Sequence, residues 1–196
     1  MKKIMIGVIL LLGIGTGQVY AQLVSIGTKA EANLSNFIVK DMPKVNSEMG
    51  FGGTIGAFVK LDVVRGFALQ PELLVHYQTS KWKEEGKKRD YDYWGLEIPV
   101  YAMGQWKTRV GHRYYIGIGP YVGLGLNAKL DKPKYKMYKE DFLKRFDFGG
   151  KAMIGYEFAN GLQINAGYKM GFLDLVDKGK GKLRSQTISL GVGYRF

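Results

Sequence analysis

The 196-residue chain carries 29 lysines and arginines against 17 acids, a formal charge of +12, and no cysteine. Lacking cysteine, it has no disulfides, no thiolate nucleophile and no thiolate metal site. Mean hydropathy near neutral argues against a helical membrane protein but suits a barrel that hides polar residues inside.

The first residues read as a secretory signal peptide. Lys2 and Lys3 precede an apolar run from Ile4 to Ile14, and Val19-Tyr20-Ala21 offers a small-residue cleavage site after Ala21. The apolar run falls short of the roughly 20 residues a spanning helix needs. Residues 1–21 are therefore expected to be removed, leaving 22–196 as one barrel domain. Losing Lys2 and Lys3 takes the charge to 12 − 2 = +10. An exported basic chain does not meet nucleic acid, so none is expected as a partner.

Eight segments then alternate with period two. The first, Val24 to Leu34, places Ile26, Ala30 and Leu34 on one face, and the second, Phe51 to Leu61, does so with Ile55 and Val59. The third, Phe67 to Tyr77, aligns Leu69, Leu73 and Val75; the fourth, Tyr93 to Trp106, aligns Trp94, Ile98 and Val100. In the fifth, Tyr114 to Asn127, Ile116, Ile118, Val122 and Leu124 alternate with glycines and tyrosines. The sixth is Phe146 to Phe158, the seventh Leu162 to Phe172, and the eighth Ser185 to Phe196. Most are longer than the usual 5–6 residues of globular strands and match the roughly 9–11 that a tilted strand needs to cross a bilayer.

The connections alternate as well. Asp62–Gly66, Lys107–Arg113 and Ala159-Asn160-Gly161 are short, whereas Phe37–Gly50, Lys81–Asp92, Asp131–Arg145 and Leu175–Lys182 are longer. Short periplasmic turns and long outer loops define an eight-stranded antiparallel up-and-down transmembrane β-barrel, with both chain ends on the short-turn side. The face opposite the apolar one carries Lys29, Glu31, Lys60, Glu72, Glu97, Lys151, Glu157, Lys169 and Arg195. Their signs nearly balance, as a packed interior polar network requires. Aromatics such as Phe67, Tyr77, Trp94 and Trp106 at the ends of the apolar runs read as girdles. Phe58, Tyr101, Tyr115 and Tyr121 point inward, and the glycines of the fifth segment are expected to make room for them.

The segments FALQPELLVHY (67–77), WGLEIPVYA (94–102), YYIGIGPYVG (114–123), FDFGGKAMIGYEF (146–158) and LGVGYRF (190–196) resemble the PorT-like outer-membrane β-barrel family of Bacteroidota. The resemblance implies outer-membrane residence and insertion by the barrel-assembly machinery. Tyr194 and Phe196 resemble the terminal insertion signal that this machinery recognises.

Candidate chemistry is sparse. Glu72 and Glu97 sit on adjacent segments and form a possible acid–base pair, but no nucleophile or metal-ligand spacing accompanies them; ion pairing to Lys60, Lys151, Lys169 or Arg195 is the expected role. His76 and Ser80 lack an acidic partner for a triad, and neither His76 nor His112 has a ligand-spaced companion. No cofactor and no metal are expected. The loop cations Lys81, Lys83, Lys87, Lys88 and Arg89, and Lys132, Lys134, Lys136, Lys139, Lys144 and Arg145, stand among Glu84, Glu85, Glu140 and Asp141; they suit equally a solvated loop and contact with phosphates of the outer-leaflet lipopolysaccharide. The sequence thus points to a monomeric, non-enzymatic structural or binding barrel. The alternatives are a small porin-like channel and an outer-membrane enzyme using His76.

Overall fold

Backbone that crosses a bilayer must satisfy its hydrogen bonds internally, and alternating strands do so only by closing on themselves. A computed structural model of the protein shows this closure. It describes residues 23–40, 45–48, 50–84, 87–130, 135–136, 146–172 and 182–196; the expected signal peptide lies outside them. Ten strands are described: β1 (Val24–Lys40), β2 (Val45–Glu48), β3 (Gly50–Val64), β4 (Phe67–Glu84), β5 (Lys87–Lys107), β6 (Arg113–Leu130), β7 (Tyr135–Lys136), β8 (Phe146–Glu157), β9 (Leu162–Gly171) and β10 (Lys182–Arg195). Eight of these form the barrel. Each pairs antiparallel with its neighbour in the order β1-β3-β4-β5-β6-β8-β9-β10. β10 returns to β1 in an unbroken register from Gly27↔Arg195 to Lys40↔Lys182.

Parity decides the faces. Ile26, Ile55, Ile118 and Leu190 are 57%, 65%, 68% and 65% exposed, whereas the intervening Phe58, Lys60, Tyr101 and Glu157 are at most 2% exposed. The apolar set therefore faces outward, toward lipid, and the mixed polar and aromatic set fills the lumen. Leu23 accepts from the Asp62 amide beside the β3–β4 turn, and Arg195 donates to Gly161 in the β8–β9 turn. Both described ends of the barrel thus lie at the short-turn rim. Gly66, Gly111 and Gly161 hold φ of +88°, +91° and +88° in the three short turns, a region that favours glycine.

The strands outrun the periodic segments at the outer end. The Lys81–Asp92 stretch, expected as a loop, is largely a continuation of the β4–β5 hairpin, paired out to Glu84↔Lys87. Phe37–Lys40 extends β1, and Val45–Glu48 pairs with Lys81–Glu84. The Asp131–Arg145 connection contributes Tyr135–Lys136, paired with Lys129 and Leu130. Hydrophobic alternation ends where lipid ends, but backbone pairing does not, because each further pair satisfies another set of amides and carbonyls.

Candidate functional site in the barrel lumen

At the turn end the lumen is organised around Glu157, on the last position of β8. One carboxylate oxygen sits 2.9 Å from Arg195 Nη2 and 3.7 Å from Arg113 Nε; the other accepts from Gln163 at 2.8 Å and lies 3.7 Å from Lys60. Arg113 also reaches Asp62 at 3.9 Å, and Gln105 donates to the same carboxylate. Higher in the lumen, Lys29 bridges Glu31 at 2.7 Å and Glu72 at 3.1 Å, while Gln70 donates to Glu72 at 2.8 Å. Glu97 of β5 is held between Lys151 of β8 at 2.6 Å and Lys169 of β9 at 2.9 Å. Near the outer end Asp147 accepts from Tyr121 and Ser185, each at 2.8 Å.

All nine lumen charges read from the sequence belong to these clusters. Their partners differ in one respect: Glu72 is neutralised by Lys29 rather than by Lys60, Lys151, Lys169 or Arg195. Asp62, Arg113 and Asp147 enter the network in addition. Asp62 and Arg113 lie in stretches that read as turns, and Asp147 has the inward parity of β8, between Phe146 and Phe148. With them, the described lumen holds six cations (Lys29, Lys60, Arg113, Lys151, Lys169, Arg195) against six acids (Glu31, Asp62, Glu72, Glu97, Asp147, Glu157). Such balance is what low-dielectric burial demands.

Between the ionic clusters lies a packed layer. Ala68, Tyr101, Met103, Tyr115 and Met153 are each at most 4% exposed and form one contact cluster. The aromatics find room on neighbouring strands: a Cβ at Gly155 would collide with the Tyr115 ring, and one at Gly27 with the Phe58 ring. The glycines of β6, expected to serve these rings, instead meet other groups. Gly117 abuts Met103 and Met153, and Gly119 lies against the β5 backbone.

Toward the outer rim a small polar cavity of about 20 Å³ opens above Glu97, Lys151 and Lys169, walled by Asn33, Thr54, His76, Gln78 and Thr187 among others. His76 is buried against Tyr93, ring centroids 5.0 Å apart, and its Nδ1 has no hydrogen-bond partner. The Ser80 side chain lies outside the described residues. His112 stacks on Tyr156 at 5.5 Å in the turn rim, apart from His76.

On the outer wall, Tyr77 and Trp94 pair at 4.8 Å toward the outer end, and Tyr114, Tyr156 and Phe158 form a chain of edge-on contacts at 4.9 Å at the turn end. Tyr194 packs edge-on against Phe196 at 5.4 Å. These aromatics bound the apolar surface at both ends.

A family model described as outer membrane protein beta-barrel domain matches residues 20–177. The chain belongs to this family. Solved outer-membrane barrels share its fold. OprG from Pseudomonas aeruginosa is 12% identical, with 89% of this chain and 96% of that one covered at a TM-score of 0.62. Neisserial surface protein A is 19% identical over 88% and 99%, at 0.54. Ail of Yersinia pestis, in complex with the heparin analogue sucrose octasulfate, is 15% identical over 89% and 99%, at 0.51. No curated protein matches the sequence. The family and the closed barrel make this an outer-membrane β-barrel protein.

Proposed function

We propose that this barrel is a non-enzymatic, monomeric structural or binding element whose outer loops meet the surroundings while its lumen acts as a rigid strut. The observation that supports the reading is the buried layer of Tyr101, Met103, Tyr115 and Met153, flanked by charge-balanced ion pairs. Eight strands enclose little more than the volume of their own side chains, and here those side chains occupy it. The basic outer segments, including Lys81, Lys83, Lys87 and Lys88, suit lipopolysaccharide phosphates or another anionic surface. The reading extends to a PorT-like member of the family from Bacteroidota. It is exported through the general secretory pathway and inserted by the barrel-assembly machinery, with Tyr194 and Phe196 as the insertion signal.

The test is a planar-bilayer recording of the refolded protein, with silence as the expected result. Reproducible conductance would transfer the assignment to a small channel. A strain carrying His76→Ala is expected to keep its membrane lipid profile; an altered profile would instead favour an enzyme using His76.

A further inference from the structure

The turn rim carries a second feature, bordering the lumen network at Asp62, Gln105 and Arg113. Hairpin β3–β4 closes through a bulge: Leu61↔Leu69 and Asp62↔Ala68 pair in register, then the ladder shifts and Val64 pairs with Phe67. The extra residue leaves Val63 and Val64 both turned outward, 53% and 62% exposed. Between this hairpin and the β5–β6 turn runs an open groove of about 520 Å³, lined among others by Val63, Val64, Arg65, Trp106, Lys107 and Arg113. Trp106 is 61% exposed and belongs to the aromatic rim, so the groove continues onto the lipid-facing wall.

Its charge is one-sided. Asp62, the acid in the lining, already accepts from Gln105 and faces Arg113 at 3.9 Å. Arg113 is shared between Asp62 and Glu157 at 3.9 and 3.7 Å, which leaves the exposed Arg65 and Lys107 as the cations without a lumen partner to face the groove. Cations set beside exposed valines and an interfacial tryptophan match an amphipathic anion, with a phosphate at one end and hydrocarbon at the other. An acidic protein segment would use the cations and leave the apolar half of the groove uncovered.

We propose that this groove holds an anionic glycerophospholipid of the inner leaflet, its phosphate between Arg65 and Lys107 and one acyl chain along Val64 and Trp106. The site is distinct from the outer loops and extends the proposed function to the periplasmic rim. Native mass spectrometry of the full barrel in detergent, with phosphatidylglycerol and phosphatidylcholine of identical chains, tests it. Phosphatidylglycerol is expected to bind at least about tenfold more tightly, each interfacial cation adding its share. Arg65→Ser with Lys107→Ser, both outside the lumen network, is expected to remove that preference while the gel shift on boiling shows the barrel still folded. Lys83→Ser with Lys88→Ser at the outer end is expected to leave it intact. Equal retention of the two lipids by the unaltered protein overturns the proposal, as does a preference indifferent to the Arg65 and Lys107 changes. Loss of the preference in the outer variant would place the lipid at the other rim. Binding of a polyglutamate peptide in place of phospholipid would assign the groove to an acidic protein. Either result also overturns it.

Discussion

Glu97 sits in the lumen within 2.6 and 2.9 Å of two lysines, so its removal leaves two buried cations uncompensated. Glu97→Leu is expected to destabilise the barrel by about 3–5 kcal/mol, read as a lower urea midpoint in the folded-versus-boiled gel assay. Replacing the trio together, Glu97→Leu with Lys151→Met and Lys169→Met, is expected to recover most of that loss, since apolar replacement of a whole buried cluster is often neutral. A second residue-scale coupling joins Gly155 to Tyr115. Gly155→Ala forces the ring off its seat and is expected to cost about 1–3 kcal/mol; Tyr115→Leu in the same chain should relieve it. Additive effects in a double-mutant cycle would show that the ring does not need the glycine. Legibility at this scale followed parity. The inward position of Glu97 was readable from the alternation of β5, but its two lysine partners come from β8 and β9, 54 and 72 residues away. No local pattern encodes which cation crosses the lumen to which acid.

The element that carries the most information is β10. Its outward stripe of Ile188, Leu190, Val192 and Tyr194 faces lipid, its inward Arg195 reaches Glu157, and its backbone closes the sheet against β1. Leu190→Arg is expected to cost about 2–4 kcal/mol if the residue lies near the bilayer midplane, measured as the unfolding free energy in lipid vesicles. A neutral effect would mean that this stripe does not face hydrocarbon. The Phe196 amide donates to Ile26 at 2.9 Å, completing the seam. Deleting Phe196 is expected to lower the amount of folded protein at the cell surface by more than one exposed side chain explains, as the proposed insertion signal requires; normal surface levels would count against it. The strand cores were visible as alternation, whereas their outer extensions were not. Beyond the lipid boundary nothing selects apolar residues at every second position, so β4 and β5 continue to Glu84 and Lys87 without a hydrophobic mark.

At the scale of the molecule, the closed sheet and filled lumen predict a protein that stays folded in detergent until boiled. Its gel mobility is expected to change on heating; an unshifted band from a soluble monomer would contradict the barrel. The eight-strand count, the antiparallel order and the inside–outside assignment were all legible in the chain, because period two, turn chemistry and lipid exposure each act locally. Register, the exact balance of six cations and six acids, and the seating of aromatic rings on glycines of neighbouring strands were decided by the tertiary structure. Those features depend on which residues closure brings face to face across the lumen, and a strand carries no record of its partner on the far side. The same holds for the groove at the turn rim: the sequence shows two valines and scattered cations, and only the bulge in β3–β4 sets them beside Trp106.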